Sequence, residues 1–425
     1  MFGMWKTAAL LVLAAWGAAD GCATDADCNL NGVCTQTVPP EGADVSAAPP
    51  PANCACDAWW TGPQCSQLKL GAAKPDGGYR TTSGAKFSSW GASAVLDDDG
   101  TYHLFAAEWT RDCGILYWSP NSRVVRATSR AVDGPYVFQE EILPTFYTNP
   151  QLTTAADGTL LLFVIGMPCN HTADCTNSSA PPGPAYKYSC VPHTDMQDGI
   201  SMLSSSDGPL GPWTNHGRVL SGSNPRGGMF TDVRTNPAPL AEKDGTVKLV
   251  YRGGSKGYKA EFIGVAAATT WRGPYTPVTN PAVPAVTGNA EDPFVYRDCR
   301  GGYHMLAHAI GPGVHGGVGL HAFSHDGISW HDASPSIAYT DVVAWSNGTN
   351  TTLAQRERPV LVFGTGKDGC HWVPIALING ARMAPPTPIP PTSAAGEFER
   401  EVKLGAFPNA PTFTLIVPVV GGDAA

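Results

Sequence analysis

The 425-residue chain repeats itself, and that repetition limits its fold more than any other feature of the sequence. From about residue 80, four segments share one plan: "ASAVLDDDGTYHLFAAEW", "NPQLTTAADGTLLLFVIG", "NPAPLAEKDGTVKLVYRG" and "EDPFVYRDCRGGYHMLAHA". Each has two β-rich flanks around a turn bearing Asp-Gly or Gly-Gly, the pattern of a hairpin. A second two-strand unit follows each one: "VVRATSRAVDGPYVF", "ISMLSSSDGPLGPWTN", "IGVAAATTWRGPYTP" and "LHAFSHDGISWHDA". Hairpin plus hairpin makes a four-stranded antiparallel sheet, one blade of a propeller. A fifth hairpin, "RERPVLVFGTGKDGCHWVPIALINGA", closes the set, with "FTLIVPVV" as its missing outer strand. Anchors at Ala92, Asn149, Asn236, Asp292 and Arg358 lie 57, 87, 56 and 66 residues apart. The expected fold is all-β, a five-bladed β-propeller over residues 67–425. A β-sandwich also has short strands at regular spacing, but four copies of a two-part unit favour the propeller. The 48 Gly, 38 Pro and 15% charged residues suit tight turns between short strands.

Ahead of the repeats, Lys6 leads into the apolar "TAALLVLAAW" and the small residues Gly17, Ala18 and Ala19. This reads as a signal peptide over residues 1–19, too short to span a bilayer, and no other segment is long and apolar enough to do so. An even count of 12 cysteines fits disulfides in an oxidising, extracellular setting. Six of them precede residue 66, and "CACDAWWTGPQC" closely resembles the ending of an EGF-like module, here residues 20–66. Spacing leaves the pairing open; the resemblance implies Cys22 with Cys34, Cys28 with Cys54, and Cys56 with Cys65. Such a short segment builds little core, so bridges substitute for it. It reads as a cap for the larger domain or a docking element for a protein partner.

The other cysteines, Cys113, Cys169, Cys175, Cys190, Cys299 and Cys370, read as disulfides. Their spacings around His171 match no zinc pattern. Sequons at Asn170, Asn177, Asn347 and Asn350 mark candidate glycosylation sites in surface loops. A net charge of -9 offers no basic footprint for nucleic acid or acidic lipid.

In a propeller the inner strand of every blade starts at the rim of the central channel, so residues remote in sequence converge there. Proline is tolerated at such a start. Glu291 and Asp292 precede Pro293, Glu357 lies in "QRERPVLVF", and Asp232 lies in "FTDVRTNPAP". Glycoside cleavage needs one carboxylic acid to protonate the leaving oxygen and one carboxylate across the sugar. Asp292, Glu291, Glu357 and Asp232 are therefore the candidate catalytic acids. Each also has a structural role open to it. Asp292 can cap its own turn, Asp232 can pair with Arg234 two residues on, and Glu357 can pair with Arg356 or Arg358.

The "GPY" and "GPW" turns, the "DG" hairpins and the Asx-Pro strand starts resemble the five-bladed β-propeller glycosidases of the arabinanase, xylosidase, levansucrase and invertase group. The resemblance implies a secreted glycoside hydrolase acting on extracellular or cell-wall carbohydrate. Asp292 would be its base or transition-state stabiliser and Glu357 its proton donor. It also implies an aspartate at the start of the first blade, where this chain reads "SSWGASAVL". The missing acid keeps open a catalytically inactive, carbohydrate-binding propeller. An oligo- or polysaccharide would meet Trp90 as a stacking face, Arg234 and Arg358 as planar donors, and Asn149, Asn236 and His308. Cleavage by paired carboxylates requires no cofactor, and neither a Ser-His-Asp order nor a Gly-rich phosphate loop emerges with the right strand and helix context. The resemblance implies that a structural central metal ion can lie near a histidine, His308 or His315.

Overall fold

The computed structural model describes residues 21–35, 52–81, 88–110, 115, 118–166, 199–221, 233–255, 258–278, 290–310, 318–366, 369–383 and 412–421. In the N-terminal segment, β1 (Gly32–Thr35) pairs with β2 (Asn53–Cys56), and β3 (Trp60–Thr61) with β4 (Gln67–Leu68). Bridges join Cys22 to Cys34, Cys28 to Cys54 and Cys56 to Cys65, the pairs that the EGF-like resemblance implies.

Five four-stranded antiparallel sheets follow. Blade 1 holds β5 (Ser88–Leu96), β6 (Tyr102–Trp109), β7 (Ser122–Ser129) and β8 (Val137–Leu143). Blade 2 holds β9 (Tyr147–Thr154), β10 (Leu160–Gly166), β11 (Gly199–Ser205) and β12 (Thr214–Ser221). Blade 3 holds β13 (Val233–Ala241), β14 (Val247–Ser255), β15 (Tyr258–Ala268) and β16 (Thr276–Pro277). Blade 4 holds β17 (Ala290–Arg297), β18 (Tyr303–Ala309), β19 (Gly319–Ser324) and β20 (His331–Tyr339). Blade 5 holds β21 (Val342–Ala344), β22 (Asn350–Gly364), β23 (Val373–Met383) and β24 (Thr412–Pro418). The fold is the five-bladed propeller read from the repeats.

The core lies between blades, because each sheet buries apolar side chains on both faces. Phe105 and Val124 of blade 1 meet Leu162 and Val164 of blade 2. Leu161 and Phe163 meet Leu249 and Tyr251 of blade 3, and Val250 and Val265 meet Val295 and Met305 of blade 4.

Blade 5 closes the ring in the order β21-β22-β23-β24, with the short β21 paired to the start of the long β22. The C-terminal β24 is the outer partner of β23, as the sequence suggested. Its free edge then takes up the chain leaving the N-terminal module. Tyr79 exchanges both backbone hydrogen bonds with Thr414 at 3.0 Å, and Gly71 N–H donates to Pro418 O at 2.8 Å. Gly78 ties this seam to blade 1, with its N–H on Asp133 O (2.8 Å) and its carbonyl accepting from Tyr136 N–H (2.9 Å). Its φ is +65°, and a Cβ there would lie 2.2 Å from Thr414 O, a backbone atom that cannot step aside. Gly78→Ala should therefore cost about 2–3 kcal/mol, read as a lower urea midpoint with an unchanged slope.

The module docks at the turn end of blade 4. Arg300 grips both Asp57 oxygens (2.6 and 2.7 Å) and the Leu30 carbonyl (2.6 Å). Trp60 is 1% exposed, and its ring lies 5.0 Å from that of His321. His321 meets Asn31 Nδ2 at 3.4 Å and His304 at 3.1 Å, and His304 in turn faces Asp298. Burial, then the neighbouring His304, holds His321 well below its ordinary 6.5, so it stays neutral in the fold. Below pH 6.5 the unfolded chain takes a proton that the folded chain refuses. Stability is thus full above pH 6.5 and should fall below it by up to about 1.4 kcal/mol per pH unit. His321→Gln should flatten that slope between pH 5 and 7, measured by urea unfolding across pH.

Candidate functional site at the propeller axis

Each blade contributes one left-handed residue to the axis: Gly91 (φ 68°), Asn149 (55°), Asn236 (49°), Asp292 (53°) and Arg358 (52°). At each one the pairing of the inner strand slips, for example between Ser89 and Ala92, Thr235 and Ala238, Glu291 and Phe294, and Glu357 and Val360. A bulge led by a left-handed residue bends the strand and redirects that side chain. Gly, Asn and Asp adopt this conformation with little cost, whereas Arg358 must be held in it. Proline follows in blades 2 to 5, where its missing N–H falls at the unpaired position. In blade 1 the equivalent residue is Gly91, one before the expected anchor Ala92, which fills the proline's place.

These residues enclose an axial cavity of about 10 Å³, space for one water or one ion. Asp292 lines it, 7% exposed. Asn236 Nδ2 donates to Asp292 Oδ1 at 2.6 Å and to Glu291 Oε1 at 3.2 Å. Arg358 Nε lies 3.5 Å from Asp292, and Arg252 Nε lies 3.8 Å from Glu291. Burial, then the charge of Glu291, pushes Asp292 up to about 7, against the pull of Arg358. Glu357 accepts from Gln355 Nε2 at 2.9 Å, and His308 Nε2 lies 3.8 Å away. Glu291, Asp292 and Glu357 thus meet around His308 from two adjacent blades.

Arg356 and Arg358 do not lock Glu357 in a close ion pair. Arg356 turns the other way, to Asn379 Oδ1 (3.0 Å) and Thr340 O (2.8 Å), because alternation along the strand sends it to the opposite side. Arg234 also departs from its expected place as a sugar donor. It is buried, donates to Ser221 O of blade 2 at 2.9 Å, and does not line the axial cavity. Trp90 lines the cavity but is 1% exposed, and a Cβ on Gly380 would come within 2.6 Å of its indole. That packing leaves it no open face for a sugar. Asn149 and Asn236 line the cavity. Asn347 and Asn350 are exposed. Asp232, Asn170, Asn177, His315 and residues 1–20 lie outside the described residues. Sequence reading missed Gln355 and Arg252. Gln355 was findable, two residues before Glu357 on the same strand face; Arg252, on a different strand, left no signal.

Glu291, Asp292 and His308 each bring a ligand atom within 4.8 Å of the others. Both ring nitrogens of His308 are buried without a hydrogen-bond partner among the described residues. Two carboxylates and an unsatisfied imidazole beside an ion-sized space fit a single cation. The grouping of Cys22, Cys28 and Cys54 does not, because all three are in disulfides.

No family model and no curated sequence matches the chain. Solved structures do match its fold. Zg3597, a family 117 glycoside hydrolase of the marine bacterium Zobellia galactanivorans, aligns at TM-score 0.52 and 15% identity, over 84% of this chain and 91% of that one. The catalytic domain of the Coprinopsis cinerea GH62 α-L-arabinofuranosidase aligns at TM-score 0.52 and 14% identity, over 85% of this chain and 99% of that one. The chain therefore has the five-bladed architecture found in several distinct glycoside hydrolases. At such identities the likeness establishes the fold.

Proposed function

We propose that the protein is an extracellular glycoside hydrolase of the arabinanase, xylosidase, levansucrase and invertase type. The observation that carries this reading is the convergence of Glu291, Asp292 and Glu357 around His308, with Asp292 lining the axial cavity. A sugar ring is far larger than that cavity, so it sits outside it, against Glu291 and Glu357, which keep 28% and 14% side-chain exposure. Glu357, steadied by Gln355, is placed to give a proton to the leaving oxygen. Asp292, fixed by Asn236, is placed to act as base or to stabilise positive charge at the anomeric carbon. Glu291 tunes Asp292 through its charge. A cation held by Glu291, Asp292 and His308 would supply positive charge that keeps those carboxylates ionised. The disulfides support an extracellular setting.

A second reading, carbohydrate binding without cleavage, is favoured by Gly91, Asn149 and Asn236. Gly91 stands in the first blade, where the resembled glycosidases place an acid, and Asn149 and Asn236 bring amides rather than acids from blades 2 and 3. The two readings part in a screen of aryl glycosides and plant or algal polysaccharides. Turnover by the wild type that is lost in Asp292→Asn and Glu357→Gln supports the hydrolase. Saccharide binding with no turnover replaces it with the second reading.

A further inference from the structure

Beside the docked module lies a cavity of about 400 Å³, at the opposite end of β17 from Asp292. Cavities of this size at domain junctions are where ligand sites commonly form. Two partly exposed tryptophans line it, Trp59 from the module and Trp372 from blade 5. Trp372 is held edge-on against Phe363, with centroids 5.1 Å apart at 77°, so its plane is fixed.

The polar wall is equally fixed. Arg300 joins Asp57 at 2.6 Å and Asp298 at 3.3 Å, while the three side chains keep 39%, 20% and 12% exposure respectively. The Cys299–Cys370 disulfide ties the blade 4 turn to the blade 5 hairpin, and both cysteines line the cavity. Little has to be ordered when a ligand enters such walls, which lowers the cost of binding.

Indole faces suit the C–H face of a sugar, and carboxylates beside a guanidinium suit its hydroxyls as acceptors and donors. An anion would meet Asp57 and Asp298, and a cation would meet Arg300. We propose that this cavity binds a neutral saccharide, forming a second carbohydrate site separate from the axis. The proposal holds whether or not the axial acids cleave anything.

The test is calorimetric titration of the full chain with arabino-, xylo- and galacto-hexaoses, and with tetramethylammonium as a cation probe. One or more of the hexaoses should bind. Trp59→Ala and Trp372→Phe should each weaken that binding by about tenfold or more, with unfolding midpoints near wild type. Phe at position 372 retains an aromatic contact with Phe363, so this variant reports on the platform rather than on folding. Asp292→Asn should leave the affinity unchanged, and both tryptophan variants should keep any turnover of small aryl glycosides. No hexaose binding, affinity indifferent to both tryptophans, affinity lost in Asp292→Asn alone, or tetramethylammonium binding in place of sugars would each overturn the proposal.

Discussion

Asp292→Asn should lower kcat for glycoside cleavage by about a hundredfold to ten-thousandfold while the protein stays folded. The folding half of that expectation rests on the backbone. Asp292 sits at φ 53°, and Asn149 and Asn236 hold the same conformation in blades 2 and 3 at 55° and 49°. An amide is therefore already the resident group at two of the five equivalent positions, and its oxygen can still accept from Asn236 Nδ2. Removing a buried charge that lies beside Glu291 also relieves repulsion. The chemical half rests on what the amide lacks, a group able to take a proton or face a developing cation with negative charge. The measurement is steady-state turnover of a cleaved substrate set beside the thermal midpoint. Wild-type turnover in Asp292→Asn would remove the residue from the mechanism.

Glu108→Ala should cost about 3–5 kcal/mol of stability. Glu108 is fully buried. Tyr79 OH donates to it at 2.5 Å, Arg80 Nε at 2.9 Å, and Arg123 through Nε and Nη2 at 3.1 and 2.6 Å. Burial, then the charge of Glu108, pushes the Tyr79 phenol up, so it remains a donor. Deleting the carboxylate takes the acceptor away from Tyr79 OH, Arg80 Nε and two Arg123 nitrogens at once, although Arg123 Nη1 keeps Glu141 at 2.9 Å, and losing a buried charge-assisted acceptor is costly. Tyr79 also forms the seam with Thr414, so the loss loosens ring closure. Tyr79→Phe, which removes one donor and leaves the ion pairs, should cost about 1 kcal/mol. Urea unfolding separates the two variants, and equal losses would show that the clamp does not depend on the carboxylate.

The blades were readable because turns and strand starts are local. Gly in a hairpin turn and proline at an unpaired position answer to their own backbone, whatever the neighbouring blade does. The same locality placed Asn149, Asn236, Asp292 and Arg358 at the axis. It failed by one residue at Gly91, where no proline marks the bulge. Directions of side chains across blades were less legible. Arg234 reaches back to Ser221 O of blade 2 and Arg356 out to Thr340 O between β20 and β21, backbone acceptors 13 and 16 residues away that no local pattern points to. Trp90 looked like a stacking face because its burial depends on Gly380, nearly three hundred residues further on. The seam at Tyr79 was invisible for the same reason.

That seam constrains how the protein comes into being. Synthesis delivers the Tyr79 segment before the first blade and β24 as the last strand of the fifth, so its two halves cannot meet until synthesis has passed all five inner strands. Earlier intermediates expose the unpaired edge of β23 and one apolar flank of blade 1, surfaces prone to self-association. Completion of the ring is thus a late checkpoint, and a chain truncated anywhere before β24 lacks the strand that passes it.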